Sequence, residues 1–162
     1  MSVCLEPDAA MIRQTLIDVF SRGADSSISS SNLGPPSVVV TASASLGDGP
    51  STNAVDGSPE SIWNAGAGPE QWIQLDLGKP TEVSAIRLVV SQYPAGNTIH
   101  QIWGGAEADN LTLLSEFKGF TQDSETLQYR PSVPLSSIRY IKVITTLSAS
   151  WIAWREIEVT TP

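Results

Sequence analysis

An all-β fold, an antiparallel β-sandwich of the jelly-roll type, is predicted for residues 37–162. Short apolar runs recur along this stretch, and clusters of Gly, Pro, Ser, Asn and Asp separate them, which is the pattern of strands joined by turns. Apolar and polar residues also alternate within the runs. Ile73, Leu75 and Leu77, for example, share one face of a predicted strand and are separated by residues of the other face. No convincing helical periodicity occurs in this region.

The first 36 residues differ from the rest in pattern. Apolar residues recur at spacings of three and four, which predicts an amphipathic helix within residues 1–23. Residues 24–36 are rich in Gly, Ser, Asn and Pro and are predicted to be a flexible linker. The helical apolar face comprises Ile12, Leu16, Val19 and Phe20.

Eight strands are predicted beyond the linker, at the spacing expected of a sandwich. They are residues 37–43, 71–77, 82–91, 98–103, 111–117, 126–130, 138–146 and 151–159.

Charge and hydropathy exclude several classes of partner. The net charge is −8 and the nine Lys and Arg residues are not clustered, so nucleic acid is not an expected partner. Membrane binding is also disfavoured, because apolar loop residues such as Leu46 and Leu147 have few basic neighbours. Neither a secretory signal nor a membrane span is visible. The compartment stays open, and an extracellular location is expected if the chain is part of a larger secreted protein.

Three segments in order carry a resemblance to a known family. They are NAVDGSPESIWNAG at 53–66, QWIQLDLGKPTEVSAIRL at 71–88 and WREIEV at 154–159. Together they resemble the discoidin domain, also called the coagulation factor V/VIII C-type domain, whose bacterial relatives include carbohydrate-binding module family 32. The resemblance implies a galactose-binding-like jelly roll that takes ligands with loops at one end.

The turn at Asp56 is a candidate metal site. It offers a carboxylate, carbonyl groups and a hydroxyl, which are ligands that Ca²⁺ prefers, although Asp56 could instead cap its own turn. The resemblance implies a structural Ca²⁺ held between this turn and the last strand. Asp56 and Glu156 would bind it through their side chains, and Asn53 and Ser61 through carbonyl or hydroxyl oxygens.

Polar side chains between two predicted strands are candidate ligand contacts. Gln92, Tyr93 and Asn97 lie in the connection, and His100, the single histidine, lies just inside the next strand. Each can donate and accept hydrogen bonds, as sugar hydroxyls require. The alternative is that the loop groups are merely solvated and that His100 is a structural residue.

Four of the five tryptophans divide into predicted core and predicted surface residues. Trp63, Trp72 and Trp154 are predicted to be buried, since a tryptophan mostly serves packing. Trp151 follows a turn of small residues and begins a strand near one end of the sandwich. Its ring is therefore a candidate platform for a sugar.

The function predicted from these features is that of a non-catalytic, lectin-like carbohydrate-binding module with a site formed by loops 44–50, 92–98 and 147–151. The galactose binders of the resembled family usually carry an Arg in a ligand loop, and no Arg falls clearly in these loops, which disfavours galactose in particular. The alternative is a protein-interaction or adhesion module in which the same loops, or the helix within residues 1–23, bind a partner protein or a second copy of the chain. Catalysis is not expected, because the sequence lacks a phosphate-binding loop and a His and Cys ligand cluster.

Overall fold

The computed structural model describes residues 38–162. The predicted helix within residues 1–23 and the predicted linker at 24–36 lie outside the described residues. The described region contains nine strands and one short 3₁₀ helix, Ser51–Val55, between the first two strands. The strands are β1 Val39–Ala42, β2 Trp63–Asn64, β3 Gln71–Val83, β4 Ala85–Ser91, β5 Gly96–Glu107, β6 Asn110–Thr121, β7 Thr126–Tyr129, β8 Leu135–Leu147 and β9 Ala153–Thr160.

The strands form two antiparallel sheets that pack face to face. The first has the order β1-β3-β8-β5-β6 and the second the order β2-β9-β4-β7. Every pairing within the described sheets is antiparallel. The predicted sandwich is therefore confirmed, and each of the eight predicted strands has a counterpart.

Two features of the strands differ from the prediction. The turn-like sequence after Leu77 was expected to end a strand, but β3 continues to Val83. Gly78 adopts a φ of +78°, and the pairing register between β3 and β8 shifts past Asp76, so the strand passes through an irregularity without ending. The short strand β2, which pairs with β9, was not predicted.

The core lies between the two sheets and is formed by the inward face of each strand. Ile73, Leu75 and Leu77 are buried, as their alternation predicted. Trp63 is fully buried, and its Nε1 donates to the carbonyl oxygen of Ala44, 3.1 Å away. Such a partner is what a buried indole N–H requires.

Trp72 corrects one prediction about the core. It lies on the outward face of the first sheet and is only partly buried, with Nζ of Lys142 located 4.2 Å from the centroid of its ring. Cation–π contact therefore covers this ring in place of core packing. Trp154, in contrast, is buried as predicted.

Among residues 38–162, no helix is long and apolar enough to cross a membrane.

Candidate functional site

A depression of about 660 Å³ lies where three loops cross from one sheet to the other. These loops join β2 to β3, β4 to β5, and β8 to β9. Its volume is within the range usual for small-molecule sites. The depression is lined by Asn64, Gly68, Pro69, Ser91, Tyr93, Ser148, Ala149, Ser150, Trp151 and Ala153.

Backbone hydrogen bonds fasten two of these loops together. The N–H of Ala65 donates to the carbonyl of Ile152 at 2.9 Å, and the N–H of Ile152 donates to the carbonyl of Ala67 at 3.0 Å. Ile152 is also buried, so it anchors the loop from within. The preceding residue, Trp151, is therefore held at the surface by a fixed backbone.

A close contact fastens the remaining loop. A Cβ added at Gly96 would lie 2.5 Å from Cβ of Ala149, so the start of β5 approaches the β8–β9 loop more closely than a side chain would permit. The three loops consequently form one continuous wall.

Two aromatic side chains are exposed at the depression. The exposed fraction is 92% for Tyr93 and 56% for Trp151. Both were singled out from the sequence, and the structure brings them to the same depression. Their contact with a ligand stays a prediction. Exposed rings at the mouth of a concave site can cover the apolar face of a ligand.

The polar groups of the depression are neutral. Oδ1 of Asn64 accepts a hydrogen bond from the Gly66 N–H at 2.8 Å, which fixes the amide and leaves its NH₂ group free of partners among the described residues. Oγ of Ser148 accepts from the Ser150 N–H at 3.1 Å. Ser91 adds a further hydroxyl to the wall. Hydroxyl and amide groups of this kind recognise uncharged polar ligands.

Gln92 is not at the surface, which corrects the prediction that it contacts a ligand. Its side chain is buried, and its Nε2 lies 3.4 Å from the carbonyl oxygens of Gly96 and Thr121. Its Oε1 accepts from the hydroxyl of Thr121 at 2.8 Å. The amide therefore satisfies interior groups and holds the loop that presents Tyr93.

His100 is likewise interior, which corrects its assignment to the ligand site. Its Nδ1 lies 2.9 Å from Oγ1 of Thr145, and its ring packs edge-on against Trp154 at 4.8 Å between centroids. Burial lowers the pKa of His100 from 6.5 to about 4. A neutral, buried imidazole of this kind is a structural residue, the alternative that the sequence left open.

Asn97 is exposed but does not line the depression. It lies on β5 opposite Phe120 of β6, and β6 is the edge strand of the first sheet. The predicted loop 44–50 also contributes no lining residue, and the loop from Ala65 to Glu70 takes its place. The sequence did not identify that loop as part of the site, because Gly68 and Pro69 have no side-chain groups that suggest ligand binding.

The predicted metal ligands lie in two adjoining parts of the domain. Asp56 accepts hydrogen bonds from the Ser58 N–H at 2.9 Å and from the Ser61 hydroxyl at 2.7 Å, so it does cap its own turn. Nδ2 of Asn53 donates to the carbonyl of Ile62 at 3.1 Å, which leaves its Oδ1 without a partner in the described region.

Glu156 approaches this turn from β9. Its side chain is buried, and Oε2 has no hydrogen-bond partner among the described residues. Burial is the main cause that raises the pKa of Glu156 from 4.5 to about 7, and the negative charges of Asp56 and Glu158 add to it. A hydrogen bond from the Gly57 N–H acts in the opposite direction and lowers this pKa. An unpartnered carboxylate oxygen beside a second carboxylate is a fit for a divalent cation. Residues 38–162 contain no group of three or more His, Cys, Asp or Glu suited to a metal, so further ligands would have to be carbonyl, amide, hydroxyl or water oxygens.

Residues 39–157 match the family model described as the F5/8 type C domain. No curated protein is a significant match to the chain.

Solved structures with the same fold include three carbohydrate-binding modules. The family 32 module of NanJ from Clostridium perfringens, in complex with galactose, is 21% identical with a TM-score of 0.65, and 77% of this chain covers 95% of that one. A pectin-binding module is 26% identical with a TM-score of 0.63, over 76% of this chain and 89% of that one. The family 32 module of AlyQ, in complex with 4,5-unsaturated mannuronic acid, is 25% identical with a TM-score of 0.62, over 75% of this chain and 93% of that one.

Proposed function

Because the chain belongs to the F5/8 type C domain family, we propose that its sandwich is a non-catalytic carbohydrate-binding module, which takes a glycan into the depression between the three crossing loops. The observation that carries the proposal is the exposure of Tyr93 and Trp151 beside neutral hydrogen-bonding groups in one depression. The pectin-binding module and the AlyQ module, both similar to this chain, support a sugar ligand.

Each lining group has a separate role in this proposal. Trp151 stacks on the apolar face of a sugar ring, and Tyr93 covers a second face or a neighbouring ring. The NH₂ group of Asn64 donates to a sugar hydroxyl, and the hydroxyls of Ser91 and Ser148 can donate or accept. Gln92 acts only through the loop that it holds.

The energy of the stacking contact can be worked from the exposed area. A tryptophan buries roughly 200 Å² when fully covered, so the 56% exposure of Trp151 leaves about 110 Å² accessible. A sugar covers one face, about half of that area. At roughly 25 cal/mol per Å², Trp151→Ala removes about 1.4 kcal/mol, or about tenfold in affinity.

A glycan array followed by isothermal titration calorimetry tests the proposal. We expect a bound glycan whose affinity falls about tenfold in Trp151→Ala. Phe120→Ala is the matched control, because Phe120 is an aromatic residue with 65% exposure that does not line the depression. Equal loss of affinity in both variants, or no loss in Trp151→Ala, would place the binding elsewhere.

A structural Ca²⁺ between the Asp56 turn and β9 is part of the same proposal. Asp56 and Glu156 would hold the ion with their carboxylates, and Asn53 and Ser61 would add amide, carbonyl or hydroxyl oxygens. The ion would supply the positive charge that the buried Oε2 of Glu156 lacks in the described region. It would join the turn to the last strand.

Thermal unfolding with excess CaCl₂ or EDTA tests the ion. A ligand that binds only the native state raises the melting temperature, so we expect Ca²⁺ to raise it in the natural chain and not in Asp56→Asn. Glu116→Gln is the control, because Glu116 is an exposed carboxylate on β6, in the other sheet. An identical melting temperature in CaCl₂ and EDTA would exclude the ion.

A further inference from the structure

Within residues 38–162, no residue that lines the depression carries a formal charge. None of its ten lining residues is acidic or basic. The nearest acidic residue in sequence is Glu70, which is exposed and follows the lining residue Pro69. The electrostatic character of the site is therefore neutral, with a negative charge beside one wall.

The basic residue nearest in sequence is already committed to other partners. Arg155 lies two residues after the lining residue Ala153. Its Nη2 lies 2.8 Å from Oδ2 of Asp123, and its Nη1 donates to the carbonyl of Pro59 at 3.0 Å. Accordingly, the hydrogen bond from Arg155 lowers the pKa of Asp123. A guanidinium held in this way is not available to a ligand in the depression.

Three other basic residues are also engaged outside the depression. Arg87 pairs with Glu158, Arg139 forms two hydrogen bonds with Asp76, and Lys142 covers the ring of Trp72. Lys79, Lys118 and Arg130, the remaining basic residues of the described region, do not line the depression either.

We infer that the site selects uncharged sugars and rejects sugars that carry a carboxylate or sulfate. The inference rests on the proposed function. A carboxylate that leaves water for a site without a counter-charge loses hydration without compensation, whereas a hydroxymethyl group at the same ring position needs only the hydroxyl and amide partners present. This selectivity separates the chain from the similar AlyQ module, whose structure contains an unsaturated mannuronic acid.

Sugar pairs that differ only at C6 test the inference by calorimetry. The pairs are the methyl glycosides of galactose and galacturonic acid, glucose and glucuronic acid, and mannose and mannuronic acid. We expect the neutral member of any bound pair to bind at least about tenfold more tightly, with an affinity that does not change between low and high NaCl concentrations.

The failures of the two proposals are distinguishable. Equal or tighter binding of the acidic members, weakened by salt and still lost in Trp151→Ala, would overturn the selectivity and leave carbohydrate binding at this site intact. If no pair bound and the glycan array were also empty, both would be overturned.

A charge reversal beside the wall gives a second test. Glu70→Lys should raise the affinity for an acidic sugar by about threefold, the scale of an exposed ion pair, and leave the neutral partner unchanged. Glu107→Lys is the matched control, because Glu107 is exposed at the far end of β5. An equal gain in affinity for the acidic sugar in both variants would indicate a general effect of protein charge. It would contradict the inference that the charge at the depression determines the selectivity.

Discussion

His100 makes the stability of the domain depend on pH in a direction that its burial determines. The residue is 3% exposed, its Nε2 has no partner among the described residues, and its packed neighbours Thr145 and Trp154 are uncharged. Burial lowers the pKa of His100 from 6.5 to about 4. Between these values the unfolded chain binds a proton that the native domain does not. The free energy of unfolding contributed by His100 is therefore complete above pH 6.5 and falls as the pH drops toward 4.

The size of the effect follows from the same two pKa values. At about 1.4 kcal/mol for each pKa unit, the gap between 6.5 and about 4 gives a loss of about 3 kcal/mol across this range. Protonation of the native imidazole would place a charge in the interior without a counter-charge, which is the cause of the loss.

Urea unfolding, followed by tryptophan fluorescence at several pH values between 7.5 and 4.5, measures this contribution. His100→Gln keeps a hydrogen-bonding side chain but does not titrate, so its free energy of unfolding should fall less steeply with acidification. All measurements are made in EDTA, so that no Ca²⁺ binds Glu156. The raised pKa of Glu156 makes a contribution of opposite sign to the free energy of unfolding, and this contribution is lost as the pH rises toward 7. That contribution is common to both proteins and cancels in their difference. Parallel pH dependence of the two proteins would refute the reasoning.

Two further substitutions test how the loops and the core are held. Gly96→Ala should destabilise the domain by about 1–3 kcal/mol and weaken glycan binding, because the new methyl group would lie 2.5 Å from Cβ of Ala149 and displace the loop that carries Trp151. Gly119→Ala, where a Cβ would meet nothing within 4 Å, should leave binding unchanged, and calorimetry compares the two. Trp63→Phe should cost about 1–3 kcal/mol in urea unfolding, because it removes part of a fully buried side chain and leaves the Ala44 carbonyl without its indole donor. A loss no greater than that of Trp103→Phe, whose side chain is only half-buried, would contradict this.

The strands were predictable from sequence because burial repeats with the period of the strand. Ile73 and Leu75 illustrate this, since both are buried and the polar residue Gln74 lies between them. The same alternation predicts the observed outward position of Trp72. Its position in the alternation directs it outward, and the general preference of tryptophan for the core conflicted with that periodicity. Where the two disagreed, strand geometry decided the outcome.

The ligand site was predictable only in part, because a polar residue near a loop can face either way. Tyr93 and Gln92 are adjacent in sequence, yet one is 92% exposed and the other 4% exposed. Thr121, which forms two of the hydrogen bonds that hold Gln92 in the interior, becomes its neighbour only when β5 and β6 pair. No local pattern contains that information.

The position of Trp151 makes its contribution to ligand binding independent of the stability of the fold. Ile152 and Trp154 are buried on either side of Ala153 and fix the start of β9, while Trp151 itself projects from the domain. The hydrogen bonds that hold its loop join backbone atoms of Ala65, Ala67 and Ile152, and none depends on the indole. Replacement of Trp151 should therefore change ligand affinity with little change in the free energy of unfolding. Replacement of Trp154 should do the reverse, since its loss opens a cavity in the core beside His100. The two tryptophans lie three residues apart, so a comparison of Trp151→Ala with Trp154→Ala in unfolding and binding experiments examines this separation directly.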